Sequence, residues 1–172
     1  MKTSTALPLA WFTLRILIIL NWLSGIAIAA LLAATIVAPG WTFAALGVKP
    51  DDPMLPIMMG LRAVAALGVI AIIINNSVLT RLRDIVETVR QGDAFIPANA
   101  YRLNAIAWFV LALQLISIVI AAIGKYLSTP QNPVEFDAGF SPTSWLCVFL
   151  LFVLARVFAE GTLMREDLEG TV

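Results

Sequence analysis

The sequence predicts an all-α membrane protein with four transmembrane helices. Three observations carry this. Of 172 residues, 60% are hydrophobic and 13% charged, where soluble domains run near half apolar and a quarter charged. Mean hydropathy is +0.93, more apolar surface than a soluble chain this short can bury. The apolar residues also gather into four runs, each near the ~20 residues that span a bilayer, so lipid is the expected solvent and the bilayer the first partner.

Composition also excludes functions. Net charge is zero, so direct nucleic-acid binding lacks electrostatic support. With no histidine and a single cysteine, Cys147, no zinc, haem or disulfide site of the usual kind is expected, nor any other metal or cofactor site. Cys147 reads as a small packing residue.

The first span is expected over residues 12–37. Its apolar run is too long for a signal peptide's ~7–15-residue core, so it is expected to stay in place. Gly25, Ala29 and Ala33 fall four apart, a spacing that either allows close helix approach or reflects alanine-rich composition. Asn21 lies within the span and is expected to hydrogen-bond a neighbouring helix. Residues 39–56 read as an outer loop, with Trp41 as an interfacial anchor and Asp51-Asp52 as a solvated pair rather than a metal site.

The second span, 57–77, carries Arg62 near its start. From there the side chain can snorkel outward or pair with Asp51, Asp52, Glu135 or Asp137 of the outer loops, and a tether between span and loop is the favoured reading. After Ser77, apolar residues recur at Val78, Leu82, Ile85, Val86 and Val89, a helical spacing. The second helix should therefore continue ~20 Å past the bilayer, ending at Gly92, which suits a left-handed C-terminal position.

Residues 78–102 form a charged connector, with Arg81, Arg83, Arg90 and Arg102 set against Asp84, Glu87 and Asp93. Its Phe95 is exposed unless something covers it, and Asn99 is expected to cap the third span, 103–123. Gln114, mid-span, reads as interhelical glue. A second outer loop, 124–143, ends in Ser141-Pro142, a helix-opening pair. The fourth span, 144–159, is short, needs Arg156 to snorkel, and extends into an acidic tail, 160–172, carrying Glu160, Glu166, Asp167 and Glu169 against Arg165.

Orientation follows from the basic residues. Lys2, Arg15, Arg81, Arg83, Arg90, Arg102, Arg156 and Arg165 lie at the ends and connector, and only Lys49 and Lys125 in the outer loops. The positive-inside rule puts both termini and the connector in the cytoplasm, with the second and fourth helices extended into it.

No reaction is legible. There is no phosphate cradle, nucleophile elbow or intramembrane carboxylate, so the chain reads as non-enzymatic and coupled transport is disfavoured. Homo-oligomer formation stays open. The connector and tail are complementary in charge and are expected to dock on each other, leaving Arg81, Arg83, Arg90, Gly92, Asp93, Phe95, Asn99, Arg102, Arg165, Glu166 and Asp167 as a composite partner-binding surface.

These two segments also carry a resemblance. Gly92-Asp93-Ala94-Phe95 followed by Asn99, Arg102, Leu103 and Ile106, and the ending from Gly161 to Val172, resemble the YoaS-like bacterial membrane proteins, domain of unknown function 2975. There a Gly-x-x-Phe turn precedes the third span and the chain closes on an acidic Leu-x-x-Thr-hydrophobic signature, of which Glu169-Gly170 before Thr171 is a variant. The resemblance implies four spans in the bacterial inner membrane and no established activity. It also implies, by gene association, a small Cro/CI-type helix-turn-helix regulator as partner. The leading expectation is thus a membrane protein that sequesters or senses for such a regulator. The alternatives are a small-molecule binder or transporter using Asn21, Arg62 and Gln114, and a structural membrane subunit.

Overall fold

The computed structural model describes residues 6–45, 54–128 and 140–169. They form α1 (Ala6–Val37), α2 (Pro39–Ala45), α3 (Met54–Arg90), α4 (Pro97–Leu127) and α5 (Pro142–Glu169). Helices α1, α3, α4 and α5 are each long and apolar enough to cross a membrane. This is the architecture of a multi-pass membrane protein.

The expected outer loop at 39–56 needs correction, because it opens with α2. Pro39 lacks the N–H that would continue α1, yet the chain stays nearly helical across the break: Ala38 N–H donates to Ala34 O at 2.9 Å and Thr42 N–H to Ala38 O at 3.1 Å. Trp41 stands exposed on this short helix. Asp51, Asp52, Glu135 and Asp137 lie outside the described residues.

The four long helices stand in a row, not a closed bundle. Among the described residues α1 packs on α3, α3 on α4, and α4 on α5, while α1 has no close backbone approach to α4 or α5, nor α3 to α5. The outermost helices show their seam in burial. On α1 the covered positions run Trp11, Leu14, Ile18, Asn21, Gly25, Ile28, Leu32 and Thr35, alternating by three and four as in a left-handed helix pair. On α5, Val148, Ala155 and Thr162 are buried at intervals of seven. Of the small-residue stripe on α1, Gly25 alone meets α3, where a methyl would stand 2.8 Å from Ile72 Cγ2. Ala29 and Ala33 are exposed. Cys147 is likewise exposed on α5 rather than packed.

Register places the charges in depth. Asn21 meets Asn75, and Thr35 meets Arg62, so the antiparallel α1–α3 pair sets Arg15 level with Arg81. From that level to Thr35 and Arg62 is about 30 Å at the helical rise, the thickness of a bilayer's hydrocarbon core. Arg62 therefore stands about one hydrocarbon-core thickness from the level of Arg15 and Arg81. Past the level of Arg81 α3 runs on unbroken to Arg90.

Candidate functional site

The connector end of the row is a built layer. Gly92 takes φ +96°, the left-handed conformation that glycine adopts without a Cβ penalty. Around it Asp93 N–H donates to Thr88 O at 3.0 Å and Gly92 N–H to Val89 O at 3.1 Å, the paired bonds of a Schellman ending. Ile96 is extended (φ −124°, ψ 149°), as a residue before proline must be, and Pro97 opens α4.

Asn99 is not the helix cap its sequence context suggested. Ile96 occupies the N-cap without a side-chain bond. Asn99, one turn in and fully buried, clasps the connector instead. Its Nδ2 donates to Thr88 Oγ1 at 2.7 Å and Ala94 O at 2.9 Å, and its Oδ1 accepts from Arg102 Nη1 at 2.9 Å. One amide thus ties the end of α3, the turn and the start of α4. Below it lies the main apolar core of the described residues, formed by Ile85, Leu103, Ile106 and Ala155 with Val89, Leu151 and Phe158 packed around them.

Phe95 stays 44% exposed but meets the chain on one side. Its ring lies 5.0 Å from that of Phe158 and directly over Gly161, where a methyl would stand 2.9 Å from Phe95 Cδ1. The connector and α5 therefore dock, chiefly through this aromatic contact. An ion pair also joins them, Arg165 Nη1 to Asp93 Oδ1 at 3.3 Å, with the cation on the tail and the acid on the connector.

The remaining predicted charges are dispersed over other faces. Arg81 lies over the Phe109 ring at 4.7 Å. Arg83 pairs with Asp84 at 3.0 Å and Arg90 with Glu87 at 3.0 Å. Arg90 also stands 5.8 Å from the ring of Trp11, which Arg15 covers at 4.1 Å. Asp167 is exposed, and the Glu166 side chain lies outside the described set.

Between the first turns of α4 and the last turns of α5 runs a shallow groove of about 330 Å³, lined by Pro97, Ala100, Ala159, Thr162 and Leu163. Leu163, Met164 and Tyr101 stand exposed in these same turns. Sequence reasoning did not include Phe158, Thr88, Tyr101 or Leu163 in the site. The seven-residue spacing on α5 could have flagged Phe158, which lies beside that stripe, but nothing local marks Thr88 as the partner of Asn99.

The intramembrane polar residues do not share a site. Asn21 Nδ2 donates to Ile72 O at 3.1 Å and its Oδ1 accepts from Asn75 Nδ2 at 2.7 Å. Arg62 Nη2 donates to Thr35 O at 2.6 Å, about 21 Å further along α1, while its Nε is buried without a hydrogen-bond partner among the described residues. The tether of Arg62 is thus to the backbone of α1. Gln114 is buried on α4.

Residues 62–172 match the model of a family described as a protein of unknown function, DUF2975. The match takes in α3 from Arg62 onward, α4 and α5, and leaves α1 and α2 outside it. No curated protein and no solved structure gives a match.

Proposed function

We propose that this chain, which belongs to the DUF2975 family, is a non-enzymatic membrane protein that holds a small soluble helical protein at its connector end. The bacterial inner membrane, with both termini and the connector in the cytoplasm, is the setting that the distribution of basic residues favours. A helix-turn-helix transcription regulator is the partner that the family's gene context suggests, and sequestration or signalling its purpose.

The observation that carries the reading is the groove between α4 and α5. Its residues Pro97, Ala100 and Leu163 lie past the level of Arg81, which favours a setting in water for exposed Tyr101, Leu163 and Met164. Apolar surface presented to water marks interaction sites, and a groove between helices suits an amphipathic helix. Charges of both signs nearby, Asp93, Arg102, Arg165 and Asp167, favour a partner of mixed charge.

Co-purification in mild detergent with the regulator encoded nearby tests the proposal. The wild-type chain should retain the regulator, and Leu163→Arg should release it without loss of helix content. Failure of the wild type to retain the regulator, or equal retention by L163R, would overturn it. The transport alternative draws little support from the groove between α3 and α4, which is lined by none of Asn21, Arg62 and Gln114.

A further inference from the structure

At the opposite, loop end of the helices the row is incomplete. Trp108 packs edge-on against Phe152 at 5.3 Å, which puts Pro142, the first residue of α5, level with Ile118 of α4. The last turns of α4, out to Leu127, therefore have no α5 beside them. There α3 and α4 enclose a groove of about 780 Å³, within the size range of small-ligand sites. Gly60, Ala63 and Ala122 make it concave, with Met59, Ile118 and Tyr126 as walls. Leu127 lies against Gly60, where even a methyl would collide with it.

The lining identifies the ligand class. It is almost wholly hydrocarbon, so a polar ligand would lose its hydrogen bonds to water without replacement. The groove straddles the level of Arg62: its α3 wall runs from Ala63 outward to Leu55, and its α4 wall from Leu127 inward to Ile118. At its mouth stands Tyr126, with its ring exposed. Lys125 is exposed in the last turn of α4, three residues beyond Ala122 and so on the same face of the helix. An apolar slot with a phenol on its rim and an exposed cation one residue away, outside the lining, matches one acyl chain with its phosphate.

We infer that this groove is a specific phospholipid site, in which one acyl chain lies between α3 and α4 against Gly60, Ala63 and Ala122 and the lipid phosphate meets Lys125. The lipid completes the face that α5 is too short to cover.

Native mass spectrometry of the full-length, delipidated protein in mild detergent, titrated with phosphatidylglycerol, tests it. The wild type should retain one lipid per chain under activation that strips the others. Ala122→Leu, which fills the slot, should abolish that retention. Lys125→Glu, an exposed change that leaves the fold alone, should weaken retention roughly tenfold. Oleyl alcohol, which has a chain but no charge, should be retained less well than phosphatidylglycerol and should be indifferent to K125E. Retention unchanged in both variants would mean ordinary annular lipid and overturn the inference. So would a wild type that holds no lipid, as when the chain's own loops fill the groove, or a dimer that A122L dissociates, as when a second copy fills it.

Discussion

Two layers of this molecule solve one problem differently. Within the bilayer, α1 is fastened to α3 by a sparse polar ladder: Asn21 to Asn75 and to Ile72 O, and Arg62 to Thr35 O. At the connector, a single buried amide, Asn99, makes three bonds above an apolar core, and Phe95 seats on Phe158 and Gly161. Burial of apolar side chains drives packing in water, whereas lipid tails are as apolar as leucine and leave hydrogen bonds and close fit to choose helix partners. The connector should therefore be the stiffer and more costly layer to damage. The α1–α3 seam should be set in register by its polar pairs but only modestly stabilised by them.

The sharpest test of that contrast is Asn99→Ala. It removes the bonds of Asn99 to Ala94 O, Thr88 Oγ1 and Arg102 Nη1, leaving Thr88 only its bond to Ile85 O, and should cost about 3 kcal/mol, read as an earlier loss of helix content on titration of the detergent-solubilised protein with dodecyl sulfate. Next is Gly161→Leu, which drives Phe95 off Phe158. About 2 kcal/mol is expected from such overpacking, together with faster proteolysis in the connector. Gly92→Ala should cost about 1 kcal/mol in the same titration. Since nothing lies within 4 Å of an added Cβ at Gly92, that loss reports the backbone alone. Gly40→Ala is equally unhindered, has no positive φ, and should be neutral.

Smaller effects are expected in the bilayer. A double-mutant cycle of Asn21→Ala and Asn75→Ala should return a coupling near ~0.6 kcal/mol. A coupling as large as the Asn99 loss would erase the distinction between the layers. The smallest effect is Arg165→Gln. Its pair with Asp93 has side chains 44% and 55% exposed, so a change within about 0.5 kcal/mol is expected. A larger loss would mean that charge, not the Phe95 contact, docks α5.

Much of this was legible in the chain itself. The three-and-four spacing from Val78 to Val89 announced the unbroken run of α3 to Arg90, and Gly92 its left-handed ending. Ser141-Pro142 announced the start of α5, where Ser144 N–H now donates to Ser141 Oγ at 3.4 Å. Asn99 was singled out but given a local role, because a capping residue and a clasp look alike until the partner eleven residues back is known. Phe95 was read as exposed unless covered, and it does stay 44% exposed, although its ring also meets Phe158.

Apolar run length, proline and glycine punctuation and polar spacing are local, and they alone determined that the chain makes four long apolar helices with a charged connector at one end. Which helices touch was decided only in three dimensions. Lipid solvates every apolar face equally well, so hydrophobicity cannot order the row. The order α1, α3, α4, α5 comes from contacts between residues distant in sequence: Asn21 with Asn75, Thr88 with Asn99, Phe95 with Phe158. The same contacts leave the end of α4 without a neighbour.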